Sequence, residues 1–160
     1  SKDNMKKLLA IVVLGLLLAS NALAWQKKEF KSEFDNDKQV LIFSDFVKPS
    51  TPLSSPYNDI KAQIIYSCLD GRGAVRFNME PNLTDGSFGV GLDQNYSMRA
   101  KVDDKMISIR GNQPENSRTD INIKKKYIKK LFKGQTIMIE FKHYVGIVHY
   151  KFDLSTFPGC

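Results

Sequence analysis

The chain has 160 residues, with 24 lysines and arginines against 17 aspartates and glutamates, so its formal net charge is +7. A chain of this length is expected to form one domain, and no internal repeat points to a second. The modest positive charge favours anionic surfaces as partners but does not single out nucleic acid.

Residues 1–24 predict an export signal. Lys6 and Lys7 precede the uninterrupted apolar run Leu8–Ala19, and a small-residue cleavage site ends at Ala24, which is the pattern of a secretory signal peptide. The apolar run is shorter than the roughly 20 residues that a membrane-spanning helix needs. We therefore expect cleavage after Ala24 rather than a membrane anchor.

The first four residues precede a candidate initiator, Met5, and are interpreted as an upstream remnant. Residues 25–160 are predicted to form a single secreted domain, periplasmic or extracellular. Removing residues 1–24 takes away three lysines and one aspartate, which leaves a net charge of +5.

The first part of this domain is predicted to be extended. We expect a strand around Lys27–Lys31, a turn at Asp35–Asp37 and a strand over Gln39–Val47. Lys48–Asp59 contains three prolines, which exclude it from a sheet interior. This segment is a connector or, alternatively, a lip that contacts a ligand.

Alternating apolar residues next predict a β-hairpin. Lys61–Leu69 and Ala74–Met79 flank a glycine-rich turn, and placing Tyr66 opposite Val75 keeps both apolar faces together. Cys68 then faces the core.

The middle of the domain predicts a short strand and a second hairpin. The short, glycine-rich strand is Ser87–Leu92. The hairpin joins Asn95–Val102 to Ile107–Arg110 through a four-residue turn, with Val102 opposite Ile107.

Asp120–Lys133 is the helix candidate, with Asp120 or Thr119 as N-cap and Gly134 as the residue after the C-cap. Its apolar stripe consists of Ile121, Ile128, Leu131 and Phe132. Its opposite face carries Lys126, Lys129, Lys130 and Lys133.

The stretch from Gly134 to Leu154 predicts a C-terminal hairpin around which the rest of the domain is organised. A turn at Val145–Gly146 places Phe141 opposite Tyr150, so that the apolar residues of both strands share one face. The opposite, outward face carries Glu140, Lys142, His149 and Lys151.

Sequential hairpins with short turns predict an all-β fold: an antiparallel β-sandwich, or alternatively a small β-barrel, with one short amphipathic helix before the C-terminal hairpin. Cys68 and Cys160 are predicted to form a disulfide, because an export compartment is oxidising. A buried free Cys68 with a frayed Cys160, or pairing between chains, are the alternatives.

No catalytic constellation, metal site or cofactor motif is recognised in the sequence. The two histidines, His143 and His149, lie on opposite faces of the last hairpin and are poorly placed to share a metal. The best candidate for a binding site is the lysine face of the helix, Lys126, Lys129, Lys130 and Lys133, which suits an anionic envelope component or an acidic protein. The alternative is a solvated helix face.

Four short stretches carry a resemblance to a known group of proteins. They are Tyr66-Ser67-Cys68-Leu69, the segment Tyr96–Asp103, the segment Ile128–Gly134, and Lys151–Ser155. Across residues 61–155 the layout resembles small secreted Gram-negative proteins of the type VI secretion-associated or invasion-associated kind. The resemblance implies a β-sandwich without known catalysis and transfers no functional residue.

The sequence therefore predicts an exported, non-enzymatic binding or accessory protein of the bacterial envelope, with a role in secretion or host interaction. The alternatives are an envelope glycan hydrolase that uses dispersed carboxylates and an inhibitor of a lytic enzyme.

Overall fold

The computed structural model describes Lys2 and residues 25–51, 54, 60–78, 96–114, 119–143 and 146–160. The elements from Trp25 onward are β1 (Trp25–Lys31), β2 (Lys38–Ser44), β3 (Lys61–Ser67), β4 (Gly73–Asn78), β5 (Tyr96–Val102), β6 (Lys105–Asn112), β7 (Asp120–Ile123), α1 (Lys125–Leu131), β8 (Thr136–His143) and β9 (Gly146–Asp153). Most of the predicted signal peptide, the predicted strand at 87–92 and most of the proline-rich segment lie outside the described residues. Within those residues, no helix has the length and apolar character of a membrane span.

The nine strands form one sheet in the order β1-β2-β3-β4-β7-β6-β5-β8-β9, and every neighbouring pair is antiparallel. β1 and β9 stand at the two edges, so the sheet is not closed. The helix precedes the C-terminal hairpin. The prediction of an all-β antiparallel fold with one short helix is confirmed.

The C-terminal hairpin contributes the centre of the core. Its inward residues are almost inaccessible to solvent: Ile137, Ile139, Phe141, Val148, Tyr150 and Phe152. They pack with inward residues of β3 to β7 and with the helix residues Ile128 and Leu131. The predicted sharing of one face by both apolar sets is confirmed, because side chains alternate with a period of two along a strand.

The predicted registers of three hairpins are wrong by two residues, always in the same direction. Ile139, not Phe141, lies opposite Tyr150, and Tyr66 lies opposite Gly73 rather than Val75. Val102 lies opposite Lys105 rather than Ile107. Only the β5–β6 turn is tighter than predicted, because a φ of 51° at Asp103 accommodates a two-residue connection where four residues were expected. A shift of two residues preserves which side chains face inward, so the predicted faces survive the correction.

The helix is shorter than predicted, because Asp120–Ile123 forms strand β7 between β4 and β6. Ile121 and Ile123 are buried, whereas Asn122 is exposed, which is the alternation of a strand. The helix begins after Lys124 without a side-chain cap, so the predicted N-caps Asp120 and Thr119 are wrong.

Glycine is required at position 134 because neighbouring side chains approach it closely. The prediction that Gly134 follows the C-cap is wrong, because the C-cap residue is Phe132. A Cβ at Gly134 would meet the Asp103 carboxylate at 2.6 Å and the Val102 side chain at 2.7 Å.

The two edges of the sheet meet through side chains rather than through strand pairing. The indole Nε1 of Trp25, the first residue of β1, donates to the backbone carbonyl of Asp153, the last residue of β9, at 2.7 Å. Lys27 donates to the carbonyls of Gly159 and Cys160, both at 3.3 Å. The sheet therefore curls around its own core until its first and last strands are neighbours.

Four aromatic rings occupy the place where these edges meet. Trp25, Tyr66, Phe132 and Phe157 come from β1, β3, the end of α1 and the C-terminal tail, and five of their pairwise ring centroids lie 4.7–6.1 Å apart. Such pairs add to the stabilisation from apolar burial by about 0.5–1.5 kcal/mol each. We call this group the aromatic cluster.

A buried hydrogen bond fastens the chain to the core just after the proline-rich segment ends. Tyr150 Oη donates to the carbonyl of Ile60 at 2.7 Å, and burial raises the pKa of Tyr150, so the hydroxyl remains a donor. The Ser50 amide donates to the carbonyl of His149 at 2.8 Å. The described ends of this segment thus cover part of the β9 edge, as a connector does.

The predicted disulfide between Cys68 and Cys160 is present, with 5.6 Å between the Cα atoms. It joins the β3–β4 turn to the C-terminal residue across 92 positions, next to the aromatic cluster. The bond therefore fastens the tail that carries Phe157 to the opposite part of the sheet.

Replacing either cysteine by serine should lower the free energy of unfolding by about 4–5 kcal/mol, because the closed loop is long. Cys68→Ser, Cys160→Ser and the double variant should be equally destabilised in urea, since each removes the same bond. The intact mass of the native protein should rise by two hydrogens on reduction. Additive losses in the double variant would contradict a single shared bond.

Candidate functional site

The predicted lysine face of α1 is exposed at all four positions, Lys126, Lys129, Lys130 and Lys133. The structure nevertheless divides it. Lys126 lines one groove, and Lys130 and Lys133 line another. Lys129 lines neither of these two grooves. The four lysines of the predicted face therefore do not line a single groove.

The first groove, which we call the helix–sheet groove, has a volume of about 520 Å³. It is lined by Ser97, Met98 and Arg99 of β5, Ser108, Ile109 and Arg110 of β6, Lys126 and Tyr127 of α1, and Glu140 and Lys142 of β8. Four cationic side chains thus face one carboxylate. Cations concentrated in a concave site raise the local potential and attract anionic ligands.

Among the described residues that line the helix–sheet groove, one carboxylate is present, that of Glu140, and it is bound by two partners. Both oxygens accept from Arg99, at 2.8 Å each, and Oε2 also lies 2.8 Å from Nε2 of His149. The cross-strand register produces this arrangement, since Glu140 lies directly opposite Arg99 on β5 and His149 on β9. Because an ionised carboxylate only accepts, Nε2 of His149 carries the proton.

Glu140 is only 8% exposed, although it lies on the face of the sheet away from the core. The paired hydrogen bonds from Arg99 outweigh the effect of burial and, with His149, lower the pKa of Glu140 to about 2. The carboxylate is thus ionised over the physiological range, and its charge is compensated locally. Arg110 and Lys126 add further positive charge to the lining of the groove.

One of these cations lies against an aromatic ring. The ammonium of Lys126 lies 5.0 Å from the ring centroid of Tyr127. A contact of this length is within the range of a cation–π interaction.

The second groove, which we call the turn groove, lies beside the β5–β6 turn and has a volume of about 840 Å³. It is lined by Val102, Asp103, Asp104, Lys105, Ile107, Lys130, Lys133 and Gly134. Val102 and Ile107 are half-buried and provide its apolar surface. Asp103 accepts from the backbone amides of Gln135 and Thr136 at 2.9 and 3.1 Å, so this carboxylate helps to hold the turn to β8.

Sequence reasoning found Lys126 but missed Arg99, Arg110 and Lys142 as members of the same site. The available signal was the alternation of inward and outward side chains along β5 and β8, which places Arg99 and Lys142 on the outward face. The missing information was that β5 pairs with β8, about forty positions further along the chain.

The two histidines differ in what the structure describes. His149 binds Glu140, and the side chain of His143 lies outside the described parts of the structure. No group of three histidine, cysteine, aspartate or glutamate side chains in the described ranges is arranged to hold a metal ion.

Comparison of the chain with protein-family profiles, with curated proteins and with solved structures gave no match.

Glu140→Gln should lower the free energy of unfolding by about 1–2 kcal/mol at pH 7, once solvent screening of the exposed Arg99 is included. The folded-state pKa of Glu140 is depressed, so its stabilisation is complete above the ordinary value of 4.5 and is lost as the pH falls toward about 2. The free energies of unfolding of the wild type and Glu140→Gln, measured in urea, should therefore converge as the pH falls from 4.5 to about 2.

Glu33→Gln is the matched control, because it makes the same chemical change at an exposed position of the β1–β2 turn. It should leave stability within about 0.5 kcal/mol of the wild type. A constant difference between wild type and Glu140→Gln from pH 7 to pH 2 would contradict the ionic role of Glu140.

Proposed function

We propose that the protein is an exported, non-enzymatic binding protein of the bacterial envelope that holds an anionic component of that envelope in the helix–sheet groove. The observation that carries this proposal is the convergence of Arg99, Arg110, Lys126 and Lys142, from three strands and the helix, on one groove. Glu140, the carboxylate that the described part of this lining contains, is already bound by Arg99 and His149.

The chemistry of the groove favours phosphate or carboxylate groups in a repeated arrangement. Arginine presents several N–H donors in a plane that matches such groups, and lysine acts as a point charge. The serines Ser97 and Ser108 add hydroxyl groups to the same lining. An envelope surface rich in phosphate headgroups is therefore the ligand that we propose.

Two further features support an exported protein. The Cys68–Cys160 bond suits an oxidising compartment, where disulfides persist. Residues 1–24 carry the predicted signal peptide. The role in secretion or host interaction that the sequence resemblance implies is part of the same proposal.

The described carboxylates favour binding over the hydrolase alternative. Glu140 is bound by Arg99 and His149, and Asp120 forms an ion pair with Arg76 at 3.1 Å. Asp103 accepts from the amides that follow α1. These acids have structural partners, whereas a general acid in a glycosidase needs a raised pKa.

Arg110→Gln combined with Lys126→Gln should weaken binding to phosphatidylglycerol vesicles at low salt by about 2 kcal/mol, or about thirtyfold, because each cation near an anionic surface contributes about 1 kcal/mol. Vesicle co-sedimentation measures this change. The difference should shrink at high salt, where the charges are screened. Vesicles of neutral phosphatidylcholine should bind neither protein.

Lys31→Gln combined with Lys48→Gln is the matched control, because it removes the same charge from exposed positions outside the groove. Its binding should stay close to that of the wild type. If both double variants weaken equally, net charge alone explains the binding and the groove is not the site. Soluble polyphosphate that competes with the vesicles would identify phosphate itself as the recognised group.

A further inference from the structure

The β1–β2 hairpin extends beyond the rest of the sheet. β2 pairs with β3 only over Leu41–Phe43, whereas its pairing with β1 continues to Lys38 opposite Lys31. Residues 29–39 therefore form a two-stranded projection, which we call the arm. All of its residues except Ser32 are exposed.

The tip of the arm presents a phenylalanine entirely to solvent. Phe34 is 98% exposed, and Phe30 on the adjoining strand is 47% exposed. Single hydrophobic residues on a surface are ordinary. An aromatic residue at the end of a projection, however, does not pack into the core of its own molecule. Large rigid aromatic residues are the usual anchors of protein interfaces.

The turn that carries Phe34 is ordered by its own hydrogen bonds. Ser32 Oγ accepts from the amides of Phe34 and Asp35, at 3.2 and 3.4 Å, and Asp35 accepts from the amide of Asp37 at 3.1 Å. The Ser32 amide donates to the carbonyl of Asp37 at 2.9 Å, and Asn36 has a φ of 60°. A preorganised tip loses less conformational entropy when it binds.

The charges around Phe34 are mainly acidic. Within three positions of it, the exposed residues Glu33, Asp35 and Asp37 outnumber one exposed cation, Lys31. The hydrogen bond from Ser32 contributes most to lowering the pKa of Asp35, so that carboxylate stays ionised. A phenylalanine between carboxylates suits an apolar pocket rimmed by cations, and like charges disfavour an anionic membrane.

The turn groove on the same chain combines an apolar surface with an excess of cations. Val102 and Ile107 provide the apolar surface, and the lining holds three lysines, Lys105, Lys130 and Lys133, against two aspartates. One of these aspartates, Asp103, already accepts from the backbone amides of Gln135 and Thr136. Its volume of about 840 Å³ is within the ordinary range of ligand pockets, about 300–1,000 Å³. The exposure of Phe34 means that the groove does not receive the arm of its own molecule.

We propose that the tip of the arm docks into the turn groove of a second copy of this chain, with Phe34 against Val102 and Ile107 and the tip carboxylates against the lysines. A knob and a pocket on different surfaces of one chain produce a closed two-fold dimer if two molecules exchange arms reciprocally. They produce an open chain of molecules if the contact runs one way. Both arrangements use the same contact.

Sedimentation velocity of the purified mature protein between about 1 µM and about 1 mM tests this contact, since a small interface with one anchor gives weak association. The average mass of the wild type should rise with concentration. Phe34→Ala should weaken association by about fivefold or more, because truncation of an anchor residue costs more than about 1 kcal/mol. Leu69→Ala, at another exposed turn, is the control and should associate like the wild type.

A charge exchange makes the test specific. Two variants are needed: an arm variant, Glu33→Lys, and a groove variant, which carries both Lys130→Glu and Lys133→Glu. Each variant by itself should associate more weakly than the wild type. Their mixture should associate more strongly than either, because each arm then meets a groove of opposite charge. Circular dichroism should be unchanged, since these side chains are exposed.

A wild type that stays monomeric over the whole concentration range would overturn the proposal, as would undiminished association of Phe34→Ala. Vesicle binding of Phe34→Ala should match that of the wild type, because the helix–sheet groove is untouched. Failure of the self-association and failure of the envelope-binding proposal are therefore distinguishable.

Discussion

The hydrogen bond from Trp25 to the carbonyl of Asp153 joins the two ends of a nine-stranded sheet. An antiparallel sheet with one apolar face must cover that face, and here the sheet covers it largely by curling on itself, with Ile128 and Leu131 of α1 in the same core. Trp25 makes the curl possible because its indole reaches across the edges, while its ring packs on Phe132 and Phe157. Core, helix position and both grooves depend on that curvature.

The same curvature explains why the candidate sites lie where they do. Pairing of β5 with β8 brings Arg99, Glu140 and His149 into one cross-strand row. The helix then crosses between β7 and β8, so that Lys126 joins the helix–sheet groove and Lys130 joins the turn groove. Neither groove belongs to a single hairpin, and each requires the assembled sheet.

Local patterns predicted the hairpins and the inward faces well, because alternation with a period of two is a local property. The predicted registers were wrong by two residues, since such a shift leaves every face unchanged and only turn geometry decides between the alternatives. Asp103, with its positive φ, shows this at the β5–β6 turn. The helix prediction extended over β7 because Ile121 fits the helical stripe, although Ile121 and Ile123 also fit a strand.

The candidate site, like the fold, was predictable where it depends on local sequence and not where it depends on pairing between distant segments. The lysines of α1 follow from the local sequence, and so does the outward position of Arg99 on β5. The grouping of Arg99 with Glu140 requires a pairing between segments about forty residues apart. Formation of such contacts depends on tertiary packing, which a hydrophobic pattern does not specify. The charges were therefore predictable one by one, but their convergence was not.

The helix dipole acts differently on the lysines at the two ends of α1. Lys129 and Lys130 lie in the last turn, where cations are stabilised, so the dipole alone accounts for their presence. Lys125 and Lys126 lie in the first turn, which has no acidic residue and no side-chain cap, and there the dipole disfavours each cation by about 0.3–1 kcal/mol. The ring of Tyr127 offsets part of that effect for Lys126. Residues that oppose local stability concentrate at functional sites, which favours the groove around Lys126 over the lysine face as a whole.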